Sequence, residues 1–450
     1  MELWVNSCLL TPDEISLAKE SIAMALAEGA AKCRVTLSKS VLDLVGTLDG
    51  DIDKVQHCLD RSLSLALFAD GRFGTFSTNR LEDPEQLRAF IRTAVQTVRM
   101  LAQDPLRDLP APERIARDAK RGDESGTWDA EGYLQVSPEW LRETALRCAH
   151  FAQFSAPGFR MLSEEAELSV TATESLLLDS QGACCRSRET LFEYGVETTL
   201  LCEATGEKLS GYWWDSQPFL SRLDAASCAP RAAERAQSAA GAKAAPSGSY
   251  RIAVDTECAS KLVTPLLTAL GGFSLQQRNS FLMDALEKKI FSEQLTLLDR
   301  PRETGRNGAR RYDSEGVAAL DRPIIEKGVV KTYFINTYMA AKLGMPPTVE
   351  DAMRPVLLPT QSSLPAEGEL LIVEGFNGGN YNAATGDFSY GIEGRRRFPD
   401  GHFEPFREML MTGNYVDLWQ HLSGVLDDAR SCAARQIPTL LFDNVSCSGL

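Results

Sequence analysis

Histidine is scarce: four residues in 450, His57, His150, His402 and His421. None is followed by Glu with a second His close by, so the chain has no His-Glu zinc helix of the kind that polarises water in a metallopeptidase. Long apolar runs are also missing, and nothing approaches the roughly 20 residues that a membrane-spanning helix needs. Positive charge is in deficit, with 47 Lys and Arg against 62 Asp and Glu, a net −15. With no basic stripe interleaved with aromatics, direct nucleic-acid binding is excluded. The eleven cysteines are odd in number and irregularly spaced, which fits reduced, mostly buried thiols and not a disulfide framework; the pair Cys184-Cys185 is no metal motif. No nucleophile elbow, phosphate loop or dinucleotide fingerprint occurs, and Gly305-Arg306-Asn307-Gly308 is too short for one and lacks the Lys. Residues 1–7 lack a basic start leading into an apolar core, which implies no export signal and a cytoplasmic location.

What is present is a soluble globular composition, 44% hydrophobic and 24% charged. The length implies two domains of roughly 200 residues each. Thr11-Pro12-Asp13-Glu14 is a capping box opening a helix, with Ile15, Ala18, Ile22 and Leu26 on one face and Gly29 at its end. Asp70-Gly71 turns a hairpin between 63–69 and 73–77, and Asp83-Pro84 starts a second helix. Residues 103–136, rich in Pro, Asp and Arg and without periodicity, read as an irregular surface excursion. Ser137-Pro138 caps another helix, and 165–215 reads as strands ending in Tyr212-Trp213-Trp214, a core or interface cluster. Residues 225–248 shift to Ala, Ser, Arg and Gly, partly a solvated helix and partly a linker.

The expected fold is therefore α+β in two domains. An N-terminal mixed domain of hairpins and helices covers 1–225, and a linker or helix covers 226–248. A C-terminal domain, 249–450, is dominated by a mostly antiparallel sheet with flanking helices. Within it, Thr256 caps a helix to Leu270 that contains Pro265, and Asn336 caps a short helix ended by Gly344. Asp313 and Glu315 stand two residues apart as an acid–base pair or cation site, or as a structural surface turn with solvated carboxylates; the turn is favoured because no third ligand is fixed beside them.

One window concentrates special backbone. Between the apolar run 370–373 and the alternating Phe388, Tyr390 and Ile392 lie Gly378, Gly379, Asn380, Asn382, Thr385, Gly386, Asp387 and Ser389. The pattern reads as a hairpin with a long loop. Its glycines imply positive φ or close approach by another backbone. We expect this loop to line an interior cleft, to touch an extended peptide by sheet addition and to contribute little to stability.

The run from Asn382 to Gly391, with Thr385-Gly386-Asp387-Phe388-Ser389 at its core, resembles the signature of the TldD/PmbA family and more closely its PmbA (TldE) branch. Segments 70–78, 279–344 and 438–449 follow the family pattern in the same order, although Glu287 stands where a glycine would be expected. The resemblance implies a subunit that binds no cofactor itself and pairs with a TldD-type metallopeptidase. That partner would carry zinc on a His-Glu-x-x-x-His helix, and the two chains would enclose unfolded or modified peptides. The helix in the matching place here reads Thr264-Pro265-Leu266-Leu267-Thr268-Ala269, which offers zinc nothing useful. A homodimer is expected of the isolated chain. A non-enzymatic peptide binder or chaperone, and a standalone metal-dependent hydrolase using Asp313 and Glu315, are the alternatives. The family's older label, modulator of DNA gyrase, implies at most an indirect link for so acidic a chain.

Overall fold

The computed structural model describes residues 8–449. Met1 to Ser7, read above for an export signal, and Leu450 lie outside the described residues.

The N-terminal body is built on one antiparallel sheet of unusually long strands. These are β1 (Lys32–Leu48), β2 (Asp51–Ala69), β3 (Arg72–Thr78), β4 (Phe159–Asp179), β5 (Cys184–Cys202) and β6 (Lys208–Gln217), in the order β3-β2-β1-β4-β5-β6. Alternation puts Val35, Leu37 and Val41 of β1 and Leu168, Val170 and Ala172 of β4 on one buried face. Helices Pro12–Ala27, Pro84–Val98, Pro138–Cys148 and Cys228–Ser238 cover that face with Ala18, Ile91, Leu141 and Ala232. The expected caps are in place. Thr11 and Glu14 bond reciprocally, and the side chains of Asp83 and Ser137 accept from the first-turn N–H groups of their helices.

Two expectations need correction. Residues 103–136 are the seam between the domains and not a free excursion. Ala116 N–H donates to the Gly316 carbonyl (3.0 Å), Ala318 N–H to Arg114 (2.9 Å) and Gly305 N–H to Ser125 (2.9 Å). A segment without periodicity has no face to bury, but its backbone groups still need partners, and the second domain supplies them. The helix Cys228–Ser238 is not solvated either, since Ala229, Ala232, Ala233 and Ala236 are buried. It lies so close to β6 that a Cβ on Gly211 would stand 2.1 Å from the Ala232 carbonyl oxygen. Small side chains here serve close packing.

The C-terminal body contains β7 (Gly248–Val254), β8 (Leu297–Asp299), β9 (Arg322–Glu326), β10 (Val329–Val330), β11 (Pro355–Leu357), β12 (Leu370–Tyr381), β13 (Asp387–Arg397), β14 (Phe403–Asn414), β15 (Leu422–Val425) and β16 (Leu440–Gly449). Its main sheet runs β14-β13-β12-β7-β16-β15, and β14 also pairs with β16, closing a circuit of five strands. Only β7 and β12 run parallel. Inside, Trp419 meets Phe442 edge-on and Leu262, Val263 and Leu266 of the helix Thr256–Ala269 are fully buried. The cap of that helix is Asp255, one residue earlier than expected, whose carboxylate accepts from Glu257 N–H (2.9 Å).

Candidate functional site

The expected long loop is short. Strand β12 runs through Tyr381 and β13 begins at Asp387, leaving a five-residue turn at 382–386. Gly378 and Gly379 belong to β12, at a bulge where the register against β13 slips between Phe376 and Gly379. Their φ values are +76° and +89°. The backbone that approaches Gly379 is its own hairpin partner, because a Cβ there would lie 2.1 Å from the Ser389 carbonyl oxygen. Gly386, at φ +83°, is packed on Phe281, whose Cγ would stand 3.1 Å from an added Cβ. At Gly379 and Gly386 the hairpin's own packing asks for glycine, which argues against the expectation that they contribute little to stability.

The polar residues of the turn bond to one another. Asn382 Oδ1 accepts from Ala384 N–H (2.9 Å), Thr385 Oγ1 donates to Asp387 Oδ2 (2.7 Å), and Asn414 Nδ2 donates to Asp387 Oδ1 (2.9 Å). The bonds from Asn414 and Thr385 hold the Asp387 carboxyl below its ordinary range. Gly378, Gly379, Asn380, Asn382, Thr385 and Asp387 are exposed, Ser389 is half-buried and Gly386 is buried. Beneath them Phe388, Tyr390 and Tyr415 pack together, with the two tyrosine hydroxyls 2.9 Å apart. The eight residues thus form one preorganised hairpin end, exposed at six of them.

Asp313 and Glu315 lie elsewhere, and they are not solvated: both are buried. Asp313 Oδ1 accepts from Glu315 N–H and Val317 N–H, each at 2.9 Å. Glu315 Oε2 accepts from Thr337 N–H (2.9 Å) and its hydroxyl (2.8 Å), capping the helix Thr337–Leu343. Burial pushes the Asp313 carboxyl up to about 6, with the Glu315 charge adding to the effect and backbone N–H groups opposing it. The carboxylates serve the turn's own hydrogen bonds, but the expected solvation is wrong: the other domain covers the turn and water does not. Among the described residues no three His, Cys, Asp or Glu side chains are grouped to hold a metal ion.

A feature that sequence reasoning missed is a cleft of about 610 Å³ between the two bodies. Consecutive residues Lys208 to Tyr212 line one side, while Glu374, Glu393 and Phe406 of the closed sheet line the other. Neighbouring residues of both parities line it and β6 ends its sheet, so an open strand edge faces the cleft. The aromatic cluster was the available signal. Trp214 lines the cleft, while Trp213 is stacked by Arg231, Arg235 and Arg430 at 5.1, 4.7 and 4.6 Å. Arg430 Nη1 also bonds both carboxylate oxygens of Glu257 at 2.8 Å within the C-terminal body, and the stacking of Arg430 on Trp213 and Trp214 ties the domains together beside the cleft. The hairpin end lies beyond it: Glu393 and Asp387 are six residues apart along β13, about 20 Å.

The helix Thr256–Ala269 contains the window set against a zinc motif above. Pro265 and Ala269 are buried in the core, and Thr264 Oγ1 donates to the Ser260 carbonyl (2.9 Å) while accepting from Arg435 (2.7 Å). No imidazole, thiolate or carboxylate of that window faces open space, so these residues do not fit a catalytic zinc ion. The histidines are engaged apart from one another: His57 with Asp43 (2.6 Å), His402 with Asp400 (2.5 Å) and His421 with the Asp417 carbonyl (2.9 Å), while His150 faces the ring of Phe154.

Two bodies, the second a closed five-stranded circuit carrying a glycine-rich hairpin, define a known architecture. A model of the PmbA/TldA metallopeptidase C-terminal domain matches residues 247–449. A crystal structure from Bacteroides thetaiotaomicron, described as a modulator of DNA gyrase, superposes with a TM-score of 0.93 at 34% identity, covering 98% of this chain and 100% of that one. The chain belongs to the PmbA/TldD family. Metalloprotease PmbA of Escherichia coli O157:H7 is 24% identical over 456 residues, 95% of each chain. The structure of TldE from Thermococcus kodakarensis shares the fold, with a TM-score of 0.81 at 19% identity, covering 96% of this chain and all of that one.

Proposed function

We propose that this chain is a PmbA/TldE-type subunit that makes no zinc site of its own and works with a TldD-type metallopeptidase in the cytoplasm, holding unfolded or modified peptides for cleavage. The observation that carries this reading is the helix Thr256–Ala269, where Pro265 and Ala269 are buried and Thr264 is engaged by Ser260 and Arg435. Relatives bear the name metalloprotease; in this chain the corresponding chemistry would come from the partner, which would hold the zinc. The peptide would be received extended, added to the open edge of β6 in the cleft. The hairpin end at 378–389 would form the rim where substrate enters, with its exposed backbone already fixed by Asn382, Thr385 and Asp387.

A photo-crosslinking residue placed at Tyr212 and, separately, at Asn380 tests where peptide lies. Capture of an unfolded peptide at Tyr212, with weaker capture at Asn380, is expected. Capture at neither position contradicts the peptide-binding reading.

A further inference from the structure

On the cleft wall Tyr212 is 54% exposed. Its side chain lies across the neighbouring strand: a Cβ on Gly195 would stand 2.9 Å from the Tyr212 hydroxyl oxygen and 3.6 Å from two ring carbons. Glycine at 195 thus leaves room for the ring. Directly opposite Tyr212 on β5 is Glu197, and directly opposite Glu197 on β4 is Glu165, all three exposed on one face of the sheet. Neither carboxylate forms an ion pair among the described residues, and like charges set opposite each other in a sheet are unfavourable.

The facing wall adds a third such group. Of the cleft's other carboxylates, Glu257 is taken by Arg430 (2.8 Å) and Glu374 by Arg395 (2.9 Å). Glu393 has only a neutral donor, Asn377 Nδ2, on its Oε2 at 2.6 Å. Its Oε1 lies over Gly375, where a Cβ would stand 2.7 Å away, so the irregular register of β12 and β13 there holds the carboxylate in place. The cations of the cleft are committed or distant. Arg407 bonds Glu207 (3.0 Å), Arg235 bonds Asp255 (3.3 Å), and Lys208 lies four residues from Tyr212 along β6, about 13 Å.

We propose that the cleft selects peptides carrying an arginine or lysine, whose cationic side chain lies on Tyr212 between Glu197 and Glu393. This rests on the reading of the cleft as a peptide site and names what that site prefers. A chain added to the edge of β6 lies one strand spacing from Tyr212 and two, about 10 Å, from Glu197. A side chain on that face must cross the Tyr212 ring to reach Glu197. Long cationic side chains cover the span, lay their apolar stems on the ring and gain its attraction for a cation. The added charge also offsets the repulsion between Glu165 and Glu197, whereas an acidic side chain in the same place would increase it.

The test uses the full chain alone and three fluorescent unfolded peptides of one sequence, with arginine, citrulline or glutamate at the central position. Citrulline keeps the shape of arginine without its charge. Fluorescence anisotropy should show the arginine peptide binding at least about fivefold more tightly than the citrulline peptide, and the glutamate peptide weakest. Glu197→Gln and Glu393→Gln should each cut that ratio to under about twofold by weakening the arginine peptide and not the fold, which thermal unfolding checks. Asp53→Asn, exposed on β2 outside the cleft, should leave the ratio as it is. Equal affinities for arginine and citrulline, a ratio that survives both glutamine variants, or one that Asp53→Asn lowers as much would overturn the selectivity and leave the peptide site standing. Binding of no peptide at all would overturn both.

Discussion

Two adjacent glycines of the family hairpin should behave very differently when each is replaced by alanine. Gly378 has φ +76° with nothing within 4 Å of an added Cβ, so Gly378→Ala meets only the left-handed strain, about 1 kcal/mol. Gly379 has φ +89°, and its Cβ would lie 2.1 Å from the Ser389 carbonyl oxygen and 2.7 Å from Tyr390 Cα. Neither atom can move without separating β12 from β13 where Tyr390, 1% exposed, anchors the core. Adding about 1–3 kcal/mol for the forced displacement puts Gly379→Ala at about 2–4 kcal/mol. In a domain of roughly 200 residues each kcal/mol moves the melting midpoint by about 2–4 °C. Thermal unfolding followed by circular dichroism should place Gly379→Ala at least about 2 °C below Gly378→Ala. Equal midpoints would refute the claim that the hairpin's own pairing dictates glycine at 379.

Asp313, its folded value raised to about 6, should make the wild type lose stability as pH rises through that value. The sign follows from the folded carboxyl holding its proton more tightly than the unfolded one near 3.9, so its contribution is full below about 4 and gone above about 6. Asp313→Asn keeps the acceptor for Glu315 and Val317 and should reduce that loss by on the order of 2–3 kcal/mol in denaturant titrations at pH 4 and pH 7. An unchanged difference between the two pH values would contradict the burial argument. Glu287, which stands where the family resemblance leads one to expect glycine, holds φ +59°. Glu287→Gly should therefore leave stability within about 1 kcal/mol, relieved strain offsetting chain entropy. A β-branched Glu287→Val should be clearly destabilised in the same urea titration, and matching midpoints would show that the backbone there relaxes.

Local chemistry carried far into the fold. The capping box at Thr11 and Glu14, the Asp70-Gly71 turn and the Asn336 and Gly344 ends of a short helix all follow from side-chain and φ preferences acting within a few residues. What stayed hidden depends on which surface covers a residue. Asp313 forms the same turn hydrogen bonds whether water or a second domain lies over it, so its burial could not be read from the turn. Glycines at 378 and 379 announce a close backbone, but a neighbouring strand and a bound peptide leave the same mark on sequence. The cleft was illegible because it joins β6 to β12 and β13, more than 150 residues away, through Arg430 on Trp213 and Trp214. Only the tryptophans hinted at it.

In the proposed function this chain supplies binding surface and its partner supplies zinc. The most direct test is hydrolysis of an unfolded peptide by the zinc-supplemented chain alone, by a TldD-type partner carrying His-Glu-x-x-x-His, and by the two together, with bound zinc measured in each sample. We expect no stoichiometric zinc and no cleavage from this chain alone, and cleavage by the mixture that vanishes when the partner's Glu is changed to Gln. About one tightly held zinc per chain, together with peptide hydrolysis by this chain on its own, would contradict it.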